Sequence, residues 1–182
     1  MEAFIIPLLL IRYAMSTKEH IKEIGDNKVF IVEDNDMHSL MMDYLLSKDT
    51  TAHIKKFSTG EECIENLNLN PDVVILDYGL PGINGMQTYL AIKKHDPEIP
   101  VIVITGNRDK AVAQNFLKAG VYDYIQKEDD AFEQVSKVTD SILNIMAHKE
   151  AKAEHKQSVV MVTGILILAT LISIITWVLM RH

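Results

Sequence analysis

The sequence predicts an α/β fold in which helices cover both faces of a doubly wound, five-stranded parallel sheet. The first observation is a series of short, continuous apolar runs, such as Val73–Leu76 and Val101–Ile104. Residues that favour turns flank these runs. Runs of this kind are typical of strands that are buried on both faces of a parallel sheet. The second observation is that a segment with helical spacing follows each run, which gives five βα units. In addition, the uncharged run Val159–Met180 predicts a transmembrane helix at the C-terminus.

Composition excludes several classes of function. The formal net charge is −7, whereas a nucleic-acid surface needs a clustered basic face, so we expect no nucleic-acid partner. Cys63 is the only cysteine of the 182 residues. An intramolecular disulfide and a multi-cysteine metal site are therefore excluded. Because Cys63 lies on the apolar face of a predicted helix, we expect it to be a small core residue.

The order of the predicted strands follows from the apolar runs and their flanking turn residues. Each run has four to six residues, a length typical of strands. The strands are expected at Val29–Val32, Ala52–Phe57, Val73–Leu76, Val101–Thr105 and Val121–Ile125.

The helices between the strands are predicted from apolar spacing and capping residues. Ser58 is the expected N-cap of the second helix, with Glu61 at the capping-box spacing. The third helix is expected after Gly85, and the fourth helix is expected at Asp109–Ala119. The last helix is expected to begin at Asp130. The first helix follows Asn35, and its expected apolar face consists of residues at helical spacing: Met37, Leu40, Met41, Tyr44 and Leu45.

The two ends of the chain differ from the middle. Residues 1–27 are expected to form a mobile or surface-packed N-terminal extension, since the apolar run Ala3–Ile11 is too short to span a bilayer. A start at Met15 and a signal peptide are the alternatives for this extension. Residues 147–158 form a charged linker, and residues 159–180 form the predicted transmembrane helix.

Polar side chains follow four of the five predicted strands. Glu33 and Asp34 follow the first, Asp77 the third, Thr105 ends the fourth, and Lys127 follows the fifth. The carboxyl ends of parallel strands meet at one edge of a sheet, where ligands bind in open α/β folds. Three crowded carboxylates repel one another unless a cation joins them. With no histidine or cysteine expected at these strand ends, the ligands are hard oxygens, which suit Mg²⁺ or Mn²⁺ better than zinc.

This combination of residues indicates phosphoryl chemistry. A carboxylate beside a divalent ion and a lysine is arranged to attack and then hold a phosphoryl group, with Thr105 placed to hydrogen-bond it. Each residue alone has an ordinary structural explanation. A single Asp at a strand exit is usually a turn former, and a loop lysine is usually solvated. Their coincidence at one edge is what indicates a site.

Residues 28–146 resemble the receiver domain of bacterial two-component response regulators. The resemblance depends on spacing and on the intervening strands agreeing together. Its motifs are Glu33-Asp34, Asp77-x-x-Leu80-Pro81-Gly82-x-x-Gly85, Thr105-Gly106 and Tyr124-x-x-Lys127.

The resemblance implies a flavodoxin-like fold with strand order 2-1-3-4-5. It also implies that Asp77 accepts a phosphoryl group from a phosphohistidine donor, which is a histidine kinase or a histidine phosphotransfer protein. Lys127 would pair with the phosphoryl group, and Thr105 and Tyr124 would form a conformational switch. The implied ligands of Mg²⁺ are Glu33, Asp34, Asp77 and the backbone carbonyl of Gly79.

Two departures from the family pattern concern the site. Glu33 stands where Asp is commoner, although its longer side chain still reaches a metal or a metal-bound water. Glu128, rather than Pro, follows Lys127, so a cis peptide there is an open question. Gly79 and Asn107 occupy loop positions that, in this family, tune the lifetime of the acyl phosphate.

The resemblance implies a phosphoacceptor signalling domain that is not an enzyme and acts through protein–protein contact. An aspartate-nucleophile phosphohydrolase is disfavoured because its second Asp is replaced by Gly79. A passive, membrane-anchored docking scaffold is a further alternative. His148 and His155 are expected to be solvated rather than part of a phosphohistidine relay, and a homodimer is left open.

Charge on either side of the apolar run predicts the orientation of the chain. Lys149, Lys152 and Lys156 precede the run, and Arg181 follows it. The positive-inside rule then keeps the receiver domain in the cytoplasm. We therefore expect a single-pass protein of the inner (cytoplasmic) membrane.

Overall fold

The computed structural model of the chain describes residues 27–181. The predicted N-terminal extension and the alternative start at Met15 lie outside the described residues, apart from residue 27. Five parallel strands form one sheet in the order β2-β1-β3-β4-β5, which confirms the predicted fold class and strand order. The strands are β1 (Lys28–Val32), β2 (His53–Phe57), β3 (Val73–Asp77), β4 (Val101–Thr105) and β5 (Asp123–Gln126).

Five α-helices connect and follow these strands. Asn35, Asn84 and Asp109 each cap the helix that begins one residue later, through side-chain oxygens that accept backbone N–H groups. A short 3₁₀ turn, Leu67–Leu69, follows the second helix. The helices are α1 (Asp36–Asp49), α2 (Gly60–Glu65), α3 (Gly85–His95), α4 (Lys110–Ala119) and α5 (Ala131–Met180).

The sheet provides the hydrophobic core. Every residue of β3 and β4 is buried, as expected for central strands covered on both faces. Cys63 of α2 is fully buried in this core, and burial raises the pKa of its thiol to about 12. The prediction that Cys63 is a small core residue is therefore confirmed.

The start of β5 is later than predicted because of the way in which α4 ends. Gly120 has a φ of 84° in the left-handed region, and its N–H donates to the Leu117 carbonyl. The next residue, Val121, donates its N–H back to the Phe116 carbonyl. These two hydrogen bonds form the Schellman arrangement that satisfies the last helical carbonyls. Val121 therefore belongs to the helix terminus and not to the strand.

The predicted N-cap of α2 is wrong by one residue. The cap is Thr59, whose hydroxyl accepts the N–H of Glu62 at 3.2 Å. The Ser58 N–H donates to the Glu62 carboxylate at 3.0 Å. Both Ser58 and Thr59 have a glutamate three residues later. The capping-box spacing alone therefore does not distinguish the two candidates.

Helix α1 has apolar residues on two faces, and the prediction of its core face was largely wrong. Met42 and Leu46 are buried against the sheet. We name the opposite, solvent-facing set of large apolar residues the α1 stripe. Its members are Met37, Leu40, Met41 and Tyr44.

Gly85 permits a close approach between the start of α3 and the end of β3. A Cβ built on Gly85 would lie 2.6 Å from the Asp77 carbonyl oxygen and 2.6 Å from the Tyr78 Cα. Both neighbours are backbone atoms, which do not move aside without disturbing the strand end.

We therefore expect Gly85→Ala to lower the free energy of unfolding by about 1–3 kcal/mol, because overpacking displaces backbone. Urea denaturation measures this change. Gly106→Ala is the matched control, since a Cβ there has no neighbour within 4 Å. Equal stabilities for the two variants would contradict the close-approach explanation.

The described chain divides into two compact units, the first ending at Leu143 and the second beginning at Asn144. In the second unit, every residue from Val159 to Arg181 is exposed. By length and composition, this part of α5 is the one described segment sufficiently apolar to cross a membrane. The hydroxyls of Thr163, Thr170 and Thr176 donate to backbone carbonyls of the preceding helical turn. The predicted boundaries at residues 146 and 158 stay predictions.

Candidate functional site

Three charged side chains from separate strands meet at the carboxyl edge of the sheet. The Lys127 Nζ, following β5, lies 2.8 Å from Glu33 Oε2 after β1 and 2.8 Å from Asp77 Oδ2 at the end of β3. The three residues are far apart in sequence. The sheet order places β1 beside β3, and the long side chain of Lys127, after β5, spans the end of β4 to reach both carboxylates. A single ammonium group thus joins two carboxylates.

These charges are largely removed from solvent. The side chains of Glu33, Asp77 and Lys127 are 1%, 8% and 16% exposed, respectively. Burial lowers the pKa of Lys127, but hydrogen bonds and charges from Asp77 and Glu33 outweigh burial, so its pKa is raised above the usual 10.5. The pKa of Lys127 is thus higher in the folded chain than in the unfolded chain. The contribution of the protonated lysine to the stability of the fold is therefore complete below pH 10.5, and it is lost only as the pH rises through the raised pKa.

The third predicted carboxylate, Asp34, is exposed at the same edge. Ligand oxygens of Glu33, Asp34 and Asp77 all lie within 4.8 Å of one another. All three are hard oxygen donors of the kind that Mg²⁺ prefers, so these residues fit such an ion. The Gly79 N–H donates to Asp77 Oδ1 at 3.1 Å, which fixes the orientation of that carboxylate. The role of the Gly79 carbonyl as a ligand stays a prediction.

Thr105 ends β4 at the same edge of the sheet, and Tyr124 lies on β5, three residues before Lys127. The buried Thr105 hydroxyl accepts the Asn107 N–H at 3.0 Å, and its carbonyl accepts the Lys127 N–H at 2.8 Å. Tyr124 pairs with Val103 across the strands, and its buried hydroxyl has no hydrogen-bond partner within the described chain. The pKa of the Tyr124 phenol is raised, chiefly by burial and further by the nearby Tyr78 and Asp109. Their roles as a switch stay predictions.

A histidine that does not directly follow any strand also lies beside this cluster. His38, in the first turn of α1, places its Nδ1 3.1 Å from Glu33 Oε1. The same atom is 3.5 Å from the Lys127 Nζ. A signal was present in the sequence, because the helix begins directly after β1 and its first turn must lie over the carboxyl edge.

The segment after Lys127 has ordinary backbone geometry. All peptide bonds described in residues 27–181 are trans, including the bond that joins Lys127 to Glu128. The Glu128 N–H donates to the Gln126 carbonyl at 2.8 Å. The open question of a cis peptide at this position is thereby answered.

Fold and strand-end cluster together define a receiver domain of two-component signalling. A comparison with protein families matches residues 29–139 to the response regulator receiver domain. The chain belongs to this family, since the match covers more than half of its length.

Two curated proteins illustrate the relationship. A protein-glutamate methylesterase/protein-glutamine glutaminase of Clostridium acetobutylicum is 32% identical over 120 residues, which are 64% of this chain and 34% of that protein. The transcriptional regulator NtrC of Escherichia coli is 31% identical over 97 residues, covering 53% of this chain and 21% of NtrC. The chain thus spans about a third or less of the length of these relatives. Because the first is named as an enzyme, the expectation of a non-enzyme stays a prediction.

Solved receiver domains have the same fold. A receiver domain from Clostridium thermocellum is 26% identical with a TM-score of 0.60, covering 66% of this chain and 97% of that one. The BeF3-activated DrrB receiver domain is 27% identical with a TM-score of 0.58, covering 65% and 98%. A receiver domain of a LuxO-type repressor from Vibrio parahaemolyticus, at 23% identity and a TM-score of 0.62, covers 69% and 96% and supports the fold alone.

Proposed function

We propose that this protein is a membrane-anchored phosphoacceptor receiver, which takes a phosphoryl group on Asp77 from a phosphohistidine donor with Mg²⁺ bound. The observation that supports it most directly is the buried cluster in which Lys127 lies 2.8 Å from both Glu33 and Asp77. A buried carboxylate is costly unless cations compensate it. The cluster contains one cation, the Lys127 ammonium group, and its three carboxylates can bind a second cation.

The transfer forms one bond and breaks another. A carboxylate oxygen of Asp77 attacks the phosphorus of the donor phosphohistidine, the new O–P bond forms, and the P–N bond breaks. The bond's electron pair leaves with the donor imidazole, which takes up a proton from solvent. Lys127 then pairs with a phosphoryl oxygen, and the Thr105 hydroxyl donates to another. Glu33, Asp34 and Asp77 would hold Mg²⁺, which would supply positive charge against the transferring oxygens.

The phosphoryl group adds about −1.5 to −2 charges at one point, which is sufficient to bias a bistable surface. Thr105 and Tyr124 are the proposed switch, and the surface around α4, β5 and the start of α5 is the proposed output. Signalling then occurs by protein–protein contact. The Tyr124 hydroxyl has no hydrogen-bond partner among residues 27–181, and this supports the role, because a buried polar group without a hydrogen bond favours alternative arrangements of its side chain.

The direct test is incubation of the protein with acetyl phosphate, with and without Mg²⁺. We expect stoichiometric labelling of the protein that depends on Mg²⁺. The label should then be lost by slow hydrolysis in a single turnover. Sustained turnover of a phosphomonoester would instead favour the phosphohydrolase. Absence of any labelling, together with signalling that survives the loss of Asp77, would favour the passive scaffold.

The α1 stripe is the proposed docking surface for the phosphohistidine protein. Leu40 is 56% exposed and also lines a small cavity whose wall includes Glu33. Large exposed apolar residues beside a reactive site are typical of protein interaction surfaces.

We expect Leu40→Asp to slow phosphotransfer from a protein donor about tenfold or more, since a charge is placed where apolar contact is needed. Labelling by acetyl phosphate should be unchanged, because a small donor needs no docking surface. Leu90→Asp, at an equally exposed leucine (56%) on α3, is the matched control. An equal loss of phosphotransfer from the protein donor and from acetyl phosphate would contradict the assignment of the α1 stripe as the docking surface. An equal loss in Leu40→Asp and Leu90→Asp would also contradict it.

The anchoring proposal depends on α5. Its exposed apolar side chains from Val159 to Met180 would be costly to hydrate. The hydroxyls of the three threonines in this segment, Thr163, Thr170 and Thr176, are satisfied within the helix, as a bilayer requires. The Arg181 guanidinium lies 4.9 Å from the Trp177 ring, and this pair suits a membrane interface. We place the receiver domain on the cytoplasmic side of the inner membrane. Fractionation tests this: recovery without detergent in the soluble fraction would contradict it.

A further inference from the structure

His38 contacts the one candidate ligand that departs from the family pattern. Its Nδ1 lies 3.1 Å from Glu33 Oε1, while Glu33 Oε2 lies 2.8 Å from the Lys127 Nζ. The Lys127 Nζ also donates to Oε1, at 3.1 Å, so the lysine contacts both oxygens of the carboxylate. Oε1 is therefore shared between the lysine and the imidazole.

The direction of this hydrogen bond follows from chemistry. An ionised carboxylate only accepts hydrogen bonds, so the hydrogen of the contact is on Nδ1 of His38. Nδ1 therefore donates to Glu33 and is not available to accept from Lys127. The lysine hydrogens are directed instead to Glu33 and Asp77.

The imidazole is itself held in place. The His38 backbone N–H donates to the Asn35 side-chain oxygen at 3.1 Å, which fixes the first turn of α1. On the other side, the ring lies against Phe132, with 5.3 Å between ring centroids. The hydrogen-bond donor that Glu33 meets is therefore preorganised.

The length of Glu33 explains why such a donor is needed. Glutamate has one more rotatable bond than aspartate, and that freedom must be lost before both oxygens have fixed positions. The other donors to Oε1 are the Asn35 N–H, at a long 3.4 Å, and the Lys127 Nζ, at 3.1 Å, which is shared with Asp77. Of the two donors that are not shared with Asp77, His38 makes the shorter contact.

We propose that His38 is a positioning residue, which orients the Glu33 carboxylate for a divalent cation at the strand-end cluster. This inference rests on the proposed Mg²⁺ site and deepens it. His38 does not touch the phosphoryl group, and it acts through Glu33 alone. Its effect therefore depends on the length of the side chain at position 33.

Mg²⁺ titration by calorimetry of the full-length chain in detergent micelles, at one fixed pH, tests the inference. His38→Ala should weaken Mg²⁺ binding by about tenfold, the lower end of what loss of a ligand-orienting hydrogen bond costs. His38→Asn should retain most of the affinity, since its amide nitrogen replaces Nδ1 as the donor. In the Glu33→Asp background, His38→Ala should change the affinity by less than about twofold, because the shorter carboxylate does not reach the imidazole.

Each other result has a definite meaning. Unchanged affinity of His38→Ala, an equal loss in both backgrounds, or no Mg²⁺ binding by the native chain would overturn the inference. A native chain that binds Mg²⁺ in the predicted pattern but accepts no phosphoryl group would overturn the proposed function and leave the role of His38 standing. The imidazole ¹⁵N resonances of His38 provide a second readout, which should differ between the native chain and Glu33→Asp if the hydrogen bond exists.

Discussion

Asp77→Asn is expected to abolish labelling by acetyl phosphate while leaving the fold intact. An amide oxygen is a far weaker nucleophile than a carboxylate, so the acyl phosphate does not form. The substitution keeps the size of the side chain and an oxygen to accept the Gly79 N–H, which now lies 3.1 Å from Asp77 Oδ1. Labelling stoichiometry by intact-mass measurement and circular dichroism give the two readouts.

Asp34→Asn is the matched control for this prediction. It removes the exposed carboxylate of the same cluster without removing the acceptor. We expect slower labelling that needs more Mg²⁺ but reaches the same stoichiometry, since the role proposed for Asp34 is to hold the ion and not to form a bond to phosphorus. Full labelling of Asp77→Asn, or complete loss in Asp34→Asn alone, would assign the acceptor to another residue.

Lys127→Met is expected to destabilise the fold by about 3 kcal/mol or more, because it leaves two buried carboxylates without their shared cation. Glu33 and Asp77 are 1% and 8% exposed, so solvent screens their repulsion poorly. Methionine preserves much of the lysine stem, which separates the loss of charge from the loss of packing. Guanidinium chloride is ionic and screens charge, so urea denaturation is the appropriate measurement.

An exposed ion pair provides the control for Lys127→Met. Lys56 and Asp43 are 2.7 Å apart, but their side chains are 40% and 29% exposed. Lys56→Met should therefore cost less than about 1 kcal/mol. Added Mg²⁺ should recover more stability in Lys127→Met than in the native chain, since the ion then compensates the carboxylates alone. Equal costs for the two lysine variants, with no recovery by Mg²⁺, would contradict the electrostatic account of the cluster.

The central part of the fold and the strand-end cluster could be predicted from the sequence for one physical reason. Parallel strands all deliver their next residues to the same edge, so Asp77 and Lys127 were expected at one edge once the strands were recognised, although β4 separates their strands. The distances and the sharing of Lys127 between two carboxylates could not be predicted, because they depend on side-chain conformation.

The errors occur where a local pattern has two solutions. Helix α1 carries apolar residues on both faces, and only the sheet decides that Met42 is buried and Leu40 exposed. Ser58 and Thr59 have the same capping spacing, and the residue that caps the helix is Thr59. The strand-end pattern did not indicate His38, because this residue lies in the first turn of α1, which also lies over the site.

The most direct test of the central claim is chemical mapping of the phosphorylated residue. An acyl phosphate on aspartate is reduced by borohydride to an alcohol, which converts the residue to homoserine and releases phosphate. After treatment with acetyl phosphate and Mg²⁺, reduction and peptide mass spectrometry, we expect homoserine at position 77 alone. An acid-labile, borohydride-resistant label at His148 or His155, or homoserine at position 34, would contradict the account.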